Sequence, residues 1–142
     1  MLKGLDPLLS PDLLHALAAM GHGDELALVD RNFPATSTSQ RLIRLDGADT
    51  AAAARAILSL LPLDTFVPVP LLRMEVVDSP DEVTPVQQEM AAIAGKLEGR
   101  EIAMGGVERF AFYERSRGAF ATVITGEDAP YACFLLVKGV IA

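Results

Sequence analysis

The sequence has little of the material from which several common protein classes are built. Among its 142 residues there is one cysteine, Cys133, and there are two histidines. A single cysteine can form neither an internal disulfide nor a cysteine metal cage, which fits a reducing compartment. Two histidines without further suitable ligands make a poor zinc set, so we expect no metal. The glycine patterns that bind phosphates, GxGxxG and the P-loop, are also missing.

Long apolar runs and excess positive charge are absent as well. No apolar stretch reaches the roughly 18 residues needed to cross a bilayer, and the beginning of the chain lacks the apolar middle of a signal peptide. We therefore expect a cytoplasmic protein. The net charge of -7 opposes binding to nucleic acid or to a membrane surface. The 51% hydrophobic content exceeds what a small monomer needs and predicts contacts between subunits.

What the chain does contain is an alternation of helical and strand patterns. Helices are predicted over 10–20, 49–61, 84–99 and 107–115, although the aromatic residues of the last segment would also suit a strand. Strands are predicted over 26–29, 41–45, 71–77, 119–125 and 132–137, with 66–69 at best an edge strand. Because the strands are almost wholly apolar, both faces of their sheet must be covered. We predict one α/β domain over residues 1–142, with three α/β/α layers around a central, mostly parallel or mixed sheet.

The segment from Met20 to Pro34 is the candidate site. Two glycines bracket His22, which allows the backbone to hold the ring at the rim of a pocket. The imidazole has an unperturbed pKa of about 6.5 and is suited to moving protons near neutral pH. Asp24 is a candidate for orienting the ring, and Asp30 follows the strand at the end where such sheets bind ligands. The competing interpretation is a structural histidine that interacts with the end of a helix dipole.

Two further residues could contact a ligand. Arg109 stands next to an aromatic cluster and could donate several hydrogen bonds to a polyhydroxyl ligand, although a solvated surface charge is the default interpretation. Tyr131 follows Pro130 and could supply another donor or a stacking face.

Several blocks in a fixed order resemble a known family, the sugar mutarotases that comprise L-fucose mutarotase and D-ribose pyranase. The resemblance covers nearly the whole chain. The matching blocks are Leu2 to Pro11, Met20 to Glu25, Asp30 with Asn32-Phe33-Pro34, Glu108-Arg109-Phe110 with Phe112-Tyr113, Thr125-Gly126-Glu127, Pro130-Tyr131 and Lys138-Gly139-Val140. The block around His22, the Asn-Phe-Pro block and the arginine at 109 resemble the L-fucose branch more closely.

The resemblance implies an isomerase that interconverts the α and β anomers of a free monosaccharide, most of all L-fucose. It implies His22 as the proton donor and Asp30, Arg109 and Tyr131 as substrate contacts. Opening the sugar ring by acid/base chemistry requires no cofactor. The resemblance also implies a homo-oligomer, commonly a decamer, with sites near subunit contacts.

One position departs from the family pattern. The tyrosine of the family is usually followed by Gly-Asn, whereas this chain has Ala132 and Cys133. If the asparagine normally bonds a sugar hydroxyl, a thiol replaces it poorly because it is a weak donor and acceptor. D-Ribose pyranase-type activity on another sugar and a sugar-binding module without turnover therefore stay open as alternatives.

Overall fold

The computed structural model describes residues 1–142 and contains five helices and six strands. The helices are α1 (Pro11–Ala19), α2 (Ala35–Thr38), α3 (Thr50–Leu58), α4 (Pro85–Glu98) and α5 (Arg109–Gly118). The strands are β1 (Glu25–Val29), β2 (Leu42–Leu45), β3 (Leu71–Met74), β4 (Met104–Val107), β5 (Ala121–Thr125) and β6 (Phe134–Val137). None of the helices combines the length and the apolar character that a membrane span requires.

All six strands form one mixed sheet in the order β2-β5-β1-β6-β3-β4. Strands β2, β5 and β1 pair in parallel, as do β3 and β4. Strand β6 lies between β1 and β3 and runs antiparallel to both. Five strands therefore point the same way and β6 alone is reversed. The predicted α/β fold with a mostly parallel or mixed sheet is confirmed.

Both faces of the sheet are covered, which explains the apolar strands. In β1, Leu26 and Leu28 pack into the larger core cluster, on the face that carries α1, α3 and α4. Ala27 and Val29 pack into the smaller cluster, with α2 and α5. Successive strand residues point to opposite faces, so this alternation places an apolar side chain on each side of the sheet. Burying each large apolar side chain contributes roughly 1.5–3 kcal/mol.

Several local predictions differ from the structure. The segment from Met104 to Val107 forms edge strand β4. This strand was not predicted, because two of its four residues are glycines and glycine is depleted in strands. The last predicted helix is confirmed but begins later, at Arg109, where the Glu108 carboxylate caps it by accepting from two backbone N–H groups. Residues 66–69 form no strand, and the short helix α2 occupies part of the expected polar loop.

The sheet has two chemically different ends. At its carboxyl end, where the five parallel strands finish, Asp30 follows β1, Glu108 follows β4, and Cys133 leads into the reversed β6. At its amino end, where those strands begin, His22 precedes β1 and Asp64 precedes β3. The polar candidate residues are thus divided between opposite ends of the sheet.

Candidate active site

His22 lies at the amino end of the sheet, in the turn between α1 and β1. Its Nε2 atom is 2.9 Å from Oδ1 of Asp64, and its ring meets the Phe66 ring edge-on with the centroids 4.7 Å apart. Gly23 has φ +86°, a left-handed conformation that favours glycine and turns the chain into β1. The imidazole side chain stays 39% exposed, so it is held in place yet reachable from outside the chain.

Asp64 is the buried partner of that imidazole, with 2% of its side chain exposed. Desolvation, the largest single influence, raises the pKa of this carboxyl. Three contacts together outweigh this desolvation and hold the pKa of Asp64 below its ordinary value. They come from the N–H groups of Phe66 and Val67 and from the His22 ring. The carboxylate therefore stays ionised and accepts a hydrogen bond from the imidazole, which fixes the orientation of the ring. Because Asp64 occupies Nε2, the Nδ1 atom of His22 is the one left for a ligand.

The backbone around Asp64 is fixed by the end of α4. The carbonyl of Asp64 accepts a hydrogen bond from Nη2 of Arg100 at 3.2 Å, and Leu63 N–H donates to Oε1 of Glu98 at 2.9 Å. Gly139 packs so closely that a Cβ there would lie 2.8 Å from the Asp64 Cα. These contacts hold the carboxylate against His22.

Asp24, the expected orienting partner of His22, makes a different contact. Its Oδ2 accepts a hydrogen bond from Gly21 N–H at 2.7 Å, and no hydrogen bond joins it to the imidazole. The turn is further tied to β6, since Gly23 N–H donates to the Lys138 carbonyl and Lys138 N–H to the Asp24 carbonyl. Asp24 thus shapes the turn, and the structure places Asp64 in the orienting position instead.

The second group of polar residues surrounds a pocket of about 290 Å³ at the carboxyl end of the sheet. It brings together Asp30, Arg109, Tyr131 and Cys133, all four of which are candidates from the sequence. The complete lining is Asp30, Asn32, Phe33, Met74, Arg109, Tyr113, Pro130, Tyr131 and Cys133. A pocket with a few converging polar groups on apolar walls is typical of small-molecule sites.

Asp30 is the acceptor at the base of this pocket. Burial raises the pKa of its carboxyl, against the opposing effect of hydrogen bonds from Asn32 N–H and from the Cys133 thiol. Asn32 N–H donates to Oδ1 at 2.9 Å, and the Cys133 thiol lies 3.4 Å from Oδ2. Burial and the neighbouring Asp30 charge raise the pKa of Cys133 well above its ordinary value, so it stays a neutral thiol. Cys133 therefore offers a weak donor where an amide would offer a strong one.

Arg109 and Tyr113 form a hydrogen-bonded pair on the rim of the pocket. Nε of Arg109 donates to Oη of Tyr113 at 2.9 Å, and this bond raises the pKa of the guanidinium. The other guanidinium N–H groups of Arg109 make no hydrogen bond within the chain. Tyr113 was not among the site residues predicted from the sequence, although its spacing of four residues from Arg109 on a helix could have revealed it. Asp64 had no comparable signal, because it is 42 residues from His22.

Within one chain the two groups are far apart. Six residue steps separate Asp24 from Asp30, and an extended chain covers about 20 Å over that number of steps. His22 lies beyond one end of β1 and Asp30 beyond the other. One monosaccharide cannot contact both residues of the same chain, so the structure does not bring these two predicted site residues together within one subunit.

The sequence of this chain is similar to a known protein family and to named proteins over nearly its whole length. A family model described as the RbsD / FucU transport protein family matches residues 3–141. The chain is 50% identical to the fucose mutarotase of Homo sapiens, covering 99% of this chain and 95% of that protein. It is 44% identical to the L-fucose mutarotase of Glaesserella parasuis serovar 5, over 99% of this chain and 96% of that protein.

A solved structure matches the fold as well. The crystal structure of the fucose mutarotase from Streptococcus pneumoniae in complex with L-fucose superposes with a TM-score of 0.91. It is 38% identical in sequence and covers 99% of this chain and 100% of that chain. The family match and the full-length identities establish that this chain belongs to the RbsD / FucU family.

Proposed function

We propose that this protein is a sugar mutarotase that interconverts the α and β anomers of a free monosaccharide, with L-fucose as the first substrate to test. The observation that carries the proposal is the pairing of two features in one chain. One is a histidine held by a buried, ionised carboxylate; the other is a pocket in which a carboxylate, a guanidinium and two phenols converge. The relatives named for fucose mutarotation at 44–50% identity support L-fucose.

The reaction needs proton transfers and no electron transfer. The ring oxygen gains a proton while the anomeric hydroxyl loses one, the bond between the anomeric carbon and the ring oxygen breaks, and an aldehyde forms. Rotation of the aldehyde and reclosure by the reverse transfers give the other anomer. His22 supplies the proton, and Asp64 holds its ring in place. Asp30, with its raised pKa, is suited to accept a proton or hydrogen bond from a sugar hydroxyl.

Because His22 and Asp30 lie at opposite ends of the sheet, we propose that each complete site is formed by two copies of the chain. His22 of one copy then meets the Asp30 pocket of another. Exposed apolar side chains support contacts at both ends: Phe66 and Ile141 at the amino end, Phe110 and Val77 at the carboxyl end. A contact between unlike ends can close into a ring, and we propose a homo-oligomer, a decamer by family resemblance.

Two further expectations stay with this proposal. We place the enzyme in the cytoplasm, which suits its lone cysteine, a free and buried thiol. We also take residues 1–142 as a single domain with the site residues His22, Asp30, Arg109 and Tyr131. Asp64 and Tyr113 join them on the geometry described above.

The test of the proposed function is the rate of anomer exchange, measured by saturation-transfer NMR on an equilibrated sugar. We expect the wild-type protein to accelerate exchange of L-fucose and His22→Ala to lose about 10²- to 10⁴-fold of that acceleration. A panel with D-ribose and related sugars decides between the L-fucose and the pyranase-type activities. Acceleration with none of the sugars would contradict the proposal.

Cys133 favours a second candidate, a sugar-binding module without turnover. The thiol offers the pocket a weaker hydrogen bond than the asparagine typical of the family. Tight sugar binding by calorimetry with no effect on exchange would support that candidate. If position 133 contacts the substrate, Cys133→Asn should raise activity towards L-fucose, with Cys133→Ser as the control of similar size.

A further inference from the structure

Gln87 is a fully buried amide in the first turn of α4, with 0% of the residue exposed. Its Nε2 donates to the backbone carbonyl of Met74 at 2.9 Å and to that of Tyr131 at 3.0 Å. Its Oε1 accepts from Thr84 N–H at 3.1 Å, which completes the capping box of α4. An amide nitrogen has two hydrogens, so both donors are used on residues that line the pocket.

Tyr131 has an unusual backbone conformation. Its φ is +62°, in the left-handed region that residues with a Cβ rarely occupy. Such a conformation persists where the surroundings hold it, and it is common at ligand sites. The Tyr131 carbonyl is held by Gln87, and its Oη accepts from Val77 N–H at 3.2 Å. The Tyr131 hydroxyl proton therefore remains free for donation to a ligand in the pocket.

The same amide links two elements of the pocket wall. Met74 ends β3, and its N–H donates to the Cys133 carbonyl at 3.0 Å. Gln87 thus binds the end of β3 and the segment leading into β6 at a single point. Removing its two donors would leave two carbonyls without this partner in the interior, which favours a rearrangement of the segment.

We propose that Gln87 is a positioning residue of the sugar pocket, which holds Tyr131 in the left-handed conformation that directs its hydroxyl at the substrate. The inference rests on the proposed function, because it names a sugar as the ligand of the pocket, although one of the two readouts below needs no catalysis. Gln87 does not line the pocket itself, so its effect passes through Tyr131 and Met74.

Two variants separate this role from the helix cap. Gln87→Glu keeps a side-chain oxygen for Thr84 N–H, since glutamate also serves in a capping box, but its ionised form has no donor for the two carbonyls. Thr84→Ala removes the cap side chain and keeps both donors of Gln87. We expect Gln87→Glu to raise KM for the sugar about tenfold, with kcat changed by no more than about twofold. Thr84→Ala should leave KM as in the wild type.

The pH dependence gives a signature that a general loss of packing would not. A protonated glutamic acid regains one O–H donor. The ratio of KM in Gln87→Glu to KM in the wild type should therefore fall as the pH is lowered. Measuring both proteins at every pH removes the titration of the other site groups from the ratio. A ratio independent of pH would count against the proposal.

A second readout needs no catalysis. The chain has two tyrosines, so 3-fluorotyrosine labelling gives two ¹⁹F resonances, assigned with Tyr113→Phe. We expect Gln87→Glu, and Gln87→Met as an uncharged second variant, to shift or broaden the Tyr131 resonance. An unchanged Tyr131 resonance in both variants would overturn the inference. A wild-type protein without anomer exchange would overturn the proposed function and leave this readout intact.

Discussion

The proposed division of the site between two copies makes a quantitative prediction about mixed assemblies. His22→Ala damages the part contributed from the amino end of the sheet, and Asp30→Asn damages the pocket at the carboxyl end. Each variant alone carries one damaged half in every site. Loss of a positioned proton-transfer group costs about 10²- to 10⁴-fold in rate, so we expect both pure variants to be nearly inactive towards L-fucose.

Mixing the two variants should restore activity. In assemblies formed from equal amounts, half of the amino ends keep His22 and half of the pockets keep Asp30. If each site takes one half from each of two neighbouring copies, about one quarter of the sites regain both intact halves. The mixture should then show about one quarter of the wild-type exchange rate at equal subunit concentration.

The assay is saturation-transfer NMR on L-fucose after the two variants are unfolded and refolded together. The control mixes wild type with the double variant His22→Ala/Asp30→Asn. In this control mixture, a site shared between two copies predicts that the activity per wild-type subunit falls to about half. A site within one chain predicts that the activity per wild-type subunit is unchanged. A site shared between two copies is refuted if the mixture of single variants stays as inactive as its components while the control keeps full activity.

Three further predictions concern single residues. Asp64→Asn should lower the exchange rate by on the order of 10²-fold. Because the folded pKa of Asp64 is depressed, its stabilising effect is present above the ordinary value of 3.8 and is lost as pH falls through the folded pKa. The gap in urea midpoint between wild type and Asp64→Asn should therefore close in acid; a gap that widens would contradict this. Cys133 should react with iodoacetamide at pH 8 only when urea unfolds the chain, because burial and Asp30 raise the pKa of its thiol. Rapid labelling of Cys133 in the folded protein would contradict this prediction. Leu28 has no exposed surface. Leu28→Ala should therefore lower the free energy of unfolding by about 2–5 kcal/mol, measured by denaturant titration at fixed protein concentration. A loss below about 1 kcal/mol would argue against the place of Leu28 in the core.

The local parts of the fold were predictable because each has a strong local cause. The Ser10 cap with Pro11 marks the start of α1, and the Thr84 and Gln87 pair marks the start of α4. The apolar run of β1 shows where the sheet is buried. Strand β4 was missed because glycines do not favour strands. What stabilises this strand is its parallel pairing with β3, which the local sequence does not show.

The candidate site was predictable from the sequence only as two separate groups of residues. His22 and Asp30 stand out in sequence, and Arg109, Tyr131 and Cys133 do share a pocket with Asp30. Their closeness along the chain suggested one site, yet a strand runs between His22 and Asp30 and carries them to opposite ends of the sheet.

The contacts that depend on tertiary structure left no pattern in the sequence. Asp64 reaches His22 across 42 residues. Gln87 reaches the Tyr131 carbonyl across 44. Such pairs become visible only when the sheet brings distant segments together.

The most direct measurement of the central claim is a crystal structure of the assembled protein with bound L-fucose. We expect a sugar held by Asp30 and Arg109 of one copy, with the His22 imidazole of a second copy about 3 Å from a sugar oxygen. A sugar that occupies the Asp30 pocket with no His22 of any copy near it would contradict a site shared between two copies.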